Sequence, residues 1–251
     1  MPTIAVINQK GGVGKTTTVA NLGAGLARLK KRVLLVDLDP QAHLTCCLGL
    51  NTHELDRTIY EMLKGKASLD ETYVERDGIH LLPSSLDLSG AEVEFAVEAG
   101  REFLLKESLT SIKQYDFVLL DCPPSLGLLS LNALTAADEV FIALQTEFLA
   151  LQGLSKLLET IEKIKQRLNP ALEITGIIAT RYDGRKVLNQ EVAGKIQEHF
   201  GSKVFKTFIR DNISLAEAPS FGKNIFEYKP DSRGALDYMA LSREILERRA
   251  A

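Results

Sequence analysis

Short apolar runs, separated by stretches of helical length, dominate the first two-thirds of this chain. They are Ile4–Ile7, Val33–Val36, Ile79–Leu82, Phe117–Leu120, Glu139–Leu144 and Ile174–Ala179. Runs of this length that do not alternate with polar residues read as strands buried on both faces, which is the pattern of a parallel sheet. The order predicts a doubly wound α/β fold, with a mostly parallel sheet and helices on both faces. Its ligand site is expected beyond the carboxyl ends of the strands. Lys203–Phe208 reads as a further strand. The stretch Leu149–Leu168 spaces Leu151, Leu154, Leu157, Leu158, Ile161, Ile164 and Leu168 three and four residues apart, and Asn169-Pro170 closes it. That spacing predicts an amphipathic helix packed on the sheet. Residues 51–77 are the least periodic and read as helix and loop excursions.

The 251 residues suffice for one large domain with its own core, without disulfide or metal staples. Three cysteines, Cys46, Cys47 and Cys122, form neither a disulfide framework nor a four-thiolate zinc pattern, which fits a reducing, cytoplasmic setting. The apolar start has no basic segment before it, so it reads as a strand rather than a signal peptide. No window approaches the ~20 apolar residues of a membrane span. Net charge is −3, which excludes a strongly basic nucleic-acid binder by bulk charge alone. Residues 181–251 nevertheless hold 13 Lys+Arg against 10 Asp+Glu, a net of +3, which leaves −6 for residues 1–180.

The strongest chemical signal is Lys10-Gly11-Gly12-Val13-Gly14-Lys15-Thr16-Thr17, between the first strand and the first helix. Glycines let backbone N–H groups converge on phosphate oxygens, and the helix N-terminus adds partial positive charge. In this context Lys15 is placed to reach the β- and γ-phosphates and the Thr16 hydroxyl to ligate Mg²⁺. Gln9 stands where the usual phosphate loop has its first glycine, and Lys10 follows it as a second lysine.

Two strands end on carboxylates. Val36-Asp37-Leu38-Asp39-Pro40 puts Leu38 opposite both aspartates. Carboxylates at such a strand end hold Mg²⁺-bound water or orient the attacking water. Leu120-Asp121-Cys122-Pro123-Pro124 is an apolar strand closing on one aspartate, suited to bind Mg²⁺ through water, with the prolines stiffening the turn. Cys122 reads as a small buried filler.

The lysine-headed loop resembles the deviant Walker A motif. Together with Asp37–Gln41, Asp121–Gly127, Leu131–Leu134, Thr146-Glu147, Tyr182–Arg185 and Leu215–Lys223, it makes the chain similar over nearly its whole length to the ParA/Soj family of partition ATPases. The start at the first strand resembles the short chromosomal type, a single P-loop ATPase domain over residues 1–251 without an N-terminal helix-turn-helix domain. The resemblance implies ATP and Mg²⁺ as ligands and slow hydrolysis. Lys10, Gly11, Gly12, Val13, Gly14, Lys15, Thr16, Thr17 and Pro123 are implied to bind nucleotide, and Thr16, Asp39 and Asp121 the metal, the aspartates through water. Lys10, Lys15 and Asp39 are implied to be catalytic, Lys10 by reaching the nucleotide of a partner copy and Asp39 by activating water.

It further implies an ATP-bound homodimer, non-specific DNA binding, a stimulating ParB-like protein, and a nucleoid-associated role in chromosome or plasmid partition. Arg185, Lys186, Lys203, Lys206, Lys223 and Arg233 are the DNA-binding candidates. Asp211 and Ser214 stand where arginine is common in the family, which lowers the positive charge expected there. A MinD-type membrane-cycling ATPase is the alternative. It needs a basic amphipathic tail, whereas the last helical stretch, Leu236–Arg249, reads as a packing helix.

Overall fold

The computed structural model describes residues 1–147 and 153–250. Seven strands form one sheet in the order β3-β4-β2-β5-β1-β6-β7. They are β1 (Thr3–Ile7), β2 (Val33–Asp37), β3 (Val74–Arg76), β4 (Ile79–Leu82), β5 (Phe117–Asp121), β6 (Glu139–Gln145) and β7 (Glu173–Thr180). All neighbours run parallel except β3 and β4, which form an antiparallel pair at one edge. The expected doubly wound α/β sheet is therefore present.

Strand alternation divides the core in two. Ile4, Val6, Leu35, Leu119 and Phe141 point to one face, where α1 (Lys15–Arg28) and α2 (His43–Cys47) pack. Ala5, Ile7, Val36, Leu120 and Ile142 point to the other. That face is covered by the short helices α3 (Ile59–Leu63), α4 (Leu69–Thr72), α5 (Leu88–Glu94) and α6 (Leu104–Thr110), then by α7 (Leu128–Ala136), α8 (Leu154–Arg167) and α9 (Val187–Phe200). The chain returns to the first face through α10 (Ile213–Glu217), α11 (Ile225–Tyr228) and α12 (Arg233–Ala250), and α12 lies along α1. Each fully buried Leu, Ile or Val contributes roughly 1.5–3 kcal/mol, so the two faces hold the fold without covalent staples.

The structure corrects the reading of Lys203–Phe208 as a strand. The segment lies beside β7 through single bridges, Val204 to Ile177 and Arg210 to Tyr182. Phe205 and Ile209 donate to the Ile177 and Ala179 carbonyls of β7, while side chains of α12 take other backbone groups of the stretch. Glu244 accepts from the N–H groups of Lys206 and Thr207, and Arg248 donates to the carbonyls of Ser202 and Val204. The stretch read as excursions contains β3, whose residues alternate too little to show it. The amphipathic helix begins at Leu154, and residues 148–152 of its expected span lie outside the described residues.

Two loops meet through bare backbone. Gly49 and Gly222 both have positive φ, and a Cβ on Gly222 would lie 2.6 Å from the Gly49 Cα. This contact joins the end of α2 to the turn before α11.

Candidate nucleotide site

The ends of β1, β2 and β5 are adjacent in the sheet, so their following loops converge. After β1, Asn8 donates to the Ala143 carbonyl at 2.7 Å and accepts from the Lys10 N–H at 3.0 Å, which fixes the entry to the glycine loop. Gly14 caps α1 with φ 90°, a conformation closed to most side chains. Thr180 at the end of β7 donates to the Val13 carbonyl at 2.8 Å, and the Gln145 amide of β6 to that of Gly12 at 3.4 Å. Gly11 and Gly12 are exposed, Thr16 and Thr17 are half-buried, and Val13 anchors the loop in the core.

Lys15 is buried at 7% exposure, with its ammonium near the Lys10 carbonyl. Burial holds its pKa below the usual lysine value, while Asp121, Cys122 and Asp39 pull the other way. Lys10 pairs with Glu147 at 3.0 Å.

Asp37 and Asp121 lie in register on neighbouring strands and both are fully buried. Asp37 accepts from the Thr45 hydroxyl at 2.7 Å, the Thr45 N–H at 2.9 Å and the Asp39 N–H at 3.1 Å. Burial nevertheless pushes its pKa up to about 6. These bonds tie Asp37 to α2, and its anchor there, Thr45, has no signature in sequence. Asp39 lies just beyond, accepts from the Gln41 N–H at 3.0 Å and is 8% exposed.

Neither oxygen of Asp121 is in a well-formed hydrogen bond, and among the described residues the Thr16 side chain is the one donor acting on it. Burial, then the nearby Asp37, raise its pKa well above the carboxylate range, and only Thr16 and Lys15 oppose them. Two under-satisfied oxygens on a buried acid are what the waters of a hydrated dication satisfy. The donor set of Thr16, Asp39 and Asp121 is all oxygen, which suits Mg²⁺. Pro123 is buried behind Asp121, and burial raises the Cys122 thiol pKa, consistent with an inert filler.

Beside the glycine loop lies a cavity of about 590 Å³, lined by Gly14, Thr180, Arg181, Arg210, Asn212 and Tyr238 among others. Arg181 has a positive φ of 51° and faces Asp211 at 3.7 Å. Arg210 is tied to the buried Asp237 at 2.6–3.0 Å, which pins this wall to α12. Motif reading gave Thr180, Arg181, Arg210 and Tyr238 no role, since only the fold brings them to the loop.

The DNA-binding candidates are not presented alike. Arg185 and Lys186 both turn to Asp183, at 2.9 and 4.0 Å. Lys203 and Lys206 flank the stretch beside β7, at a level before its carboxyl end. Lys223 and Arg233 are exposed, and among the described residues Lys203, Lys206, Lys223 and Arg233 make no ion pair.

A glycine loop between strand and helix, flanked by strand-end carboxylates, defines a P-loop nucleotide hydrolase. An AAA domain model matches residues 1–174. The chromosome-partitioning ATPase Soj of Thermus thermophilus is 51% identical over 245 residues, covering 98% of this chain and 95% of the relative. The chromosome partitioning protein ParA of Caulobacter vibrioides is 44% identical over 250 residues, covering 98% and 94%. The structure of a cobyrinic acid a,c-diamide synthase from Mycobacterium smegmatis, with ADP and magnesium bound, superposes with a TM-score of 0.88 at 38% identity, covering all of this chain and 96% of that one. The chain belongs to the AAA domain family, within its ParA/Soj group of chromosome-partitioning ATPases.

Proposed function

We propose that this chain is an ATP-driven dimerisation switch that partitions chromosome or plasmid DNA. The observation that carries this reading is the lysine-headed glycine loop facing the under-satisfied carboxylate of Asp121. Backbone N–H groups of Gly11, Gly12, Val13 and Gly14 hold the phosphates with Lys15, Thr16 and Thr17. Pro123 backs the site, and the nucleoside lies in the cavity beside Thr180 and Asn212. Thr16, with Asp39 and Asp121 through water, would hold Mg²⁺, which when bound neutralises the charge developing on the phosphates. Asp39 orients the attacking water. Residues 1–251 act as one P-loop ATPase unit.

Lys10 completes the site of a second copy. Two nucleotides face to face concentrate negative charge, and a cation supplied across the interface offsets it. The ATP-bound dimer binds DNA without sequence preference, a ParB-like protein stimulates hydrolysis, and the protein acts in the cytoplasm on the nucleoid. Doubling the modest basic excess of residues 181–251 makes dimerisation a condition for useful DNA affinity. Among the described residues no helix is long and apolar enough to cross a membrane, and Tyr238, Leu241 and Ile245 of α12 are buried. The membrane-cycling alternative therefore has no apolar tail to draw on in α12.

The test is a DNA mobility shift with ATP, with ADP and without nucleotide, over a salt series. Binding with ATP alone, falling steeply with salt, is the expected result. Equal binding in all three states removes the switch.

A further inference from the structure

Helix α5 is apolar on two sides, and only one of them packs. Leu88, Ala91 and Phe95 are buried in the core. On the other side Leu86, Val93 and Val97 are 69%, 80% and 91% exposed. Leu86 stands in the turn before α5, Val93 in its last turn and Val97 in the 3-10 turn that continues it, so the three follow one another along one stretch of surface. One exposed valine is ordinary, but a run of three large apolar side chains is a surface awaiting cover.

The same stretch, residues 86–98, carries the acids Asp87, Glu92, Glu94 and Glu98 and no base. Glu94 is engaged by Lys64 and Tyr60. Asp87, Glu92 and Glu98 are exposed and make no ion pair among the described residues. Beside them opens a cavity of about 420 Å³, with Leu128, Leu131, Leu134 and Ile164 in its walls and Glu92 and Arg101 at its rim.

We propose that this surface docks a basic amphipathic segment of a partner protein, with aliphatic side chains along Leu86, Val93 and the cavity and Lys or Arg side chains over Asp87, Glu92 and Glu98. The role of that partner rests on the reading of the chain as a partner-stimulated ATPase. Charge selects the occupant. A second copy packed on this patch about a two-fold axis would set these acids against their own counterparts, and DNA or an anionic lipid surface would be repelled. The surface also touches the loop that follows β5. The Glu92 carboxylate lies against Gly127, so closely that a Cβ there would collide with it. Gly127 is the last residue of the loop that runs from Asp121 at the end of β5 to α7, so a docked segment bears on the far end of that loop.

The test is an anisotropy titration of the full chain, with ATP, against a labelled Leu/Lys amphipathic helix of about 18 residues, five turns long. The same peptide with Glu for Lys is the control. The Lys peptide is expected to bind and the Glu peptide not to. Val93→Ser with Val97→Ser should weaken binding about tenfold or more. Glu92→Gln with Glu98→Gln should weaken it roughly threefold to tenfold and flatten its salt dependence. ATP affinity should be unchanged in both. Equal peptide binding by wild type and both variants overturns the proposal. So does a valine variant that loses self-association in sedimentation while still binding the peptide, because the occupant is then a second copy. ATP turnover is scored separately: peptide binding by a chain that hydrolyses no ATP refutes the switch but upholds the surface.

Discussion

Lys10 is held by Glu147 of its own chain, Nζ to carboxylate 3.0 Å, with both side chains about half exposed at 45% and 51%. A lysine that serves a second copy must first leave this partner. Lys10→Ala should therefore keep ATP affinity and lose ATP-dependent dimerisation. Glu147→Gln should favour the dimer by less than about fivefold, because an exposed pair contributes only ~0.2–1 kcal/mol. Sedimentation velocity with ATP measures both, and a normal Lys10→Ala dimer removes the role across the interface.

Lys15→Ala should abolish ATP binding. The ammonium is buried beside the loop, and each charge-assisted hydrogen bond it makes to phosphate contributes roughly 1.5–3 kcal/mol. Two such bonds amount to a loss of about 100-fold or more. Titration with a fluorescent ATP analogue checks it; unchanged affinity would sink the loop assignment.

Asp39→Ala should bind ATP, dimerise and fail to turn over. Losing the group that positions water lowers the rate by about 10²–10⁴-fold. A phosphate-release assay on the purified dimer reads this directly, and wild-type turnover removes Asp39 from catalysis.

The buried acids make metal-free stability depend on pH. An acid whose folded pKa is raised contributes stability below its unfolded pKa and loses it as pH rises through the folded value. For Asp37 that window runs from its ordinary 3.8 to about 6, and the shift of Asp121 acts in the same direction. Asp121→Asn removes one of these acids. Without metal, its melting temperature should gain on wild type as pH rises from about 4 to 7, by ~2–4 °C for each kcal/mol. Added Mg²⁺ should stabilise wild type and not the variant. A difference that stays constant with pH counts against the buried-acid account.

Among the basic candidates, Arg185→Ala should change DNA affinity less than Lys223→Ala or Arg233→Ala, since the Arg185 guanidinium is already tied to Asp183. The salt dependence of affinity separates them, because each lysine or arginine on a phosphate adds about 0.9 to its slope. An equal loss from all three variants contradicts this ranking.

The parallel strands were legible because burial on both faces forces uninterrupted apolar runs, and the aspartates of the site because they end those runs. The edge strand Val74–Arg76 was not, since it is three residues long and two of them are exposed. Lys203–Phe208 has strand-like composition and meets β7 through Phe205, but Glu244 and Arg248, some forty residues away, hold other parts of its backbone, a contact that only the fold creates. Thr45 and Glu147 hold Asp37 and Lys10 through contacts that the fold creates, and neither position carries a motif for that contact.

The meeting of Gly49 and Gly222 has a mechanical consequence. Thr45 fastens α2 to Asp37 through two hydrogen bonds, and α2 ends against Gly222, one residue before Lys223. With no side chain between the two backbones, nothing there can change rotamer to absorb a displacement. A shift of α2 toward Gly222 would therefore bring the two backbones into overlap unless the segment bearing Lys223 moved with it.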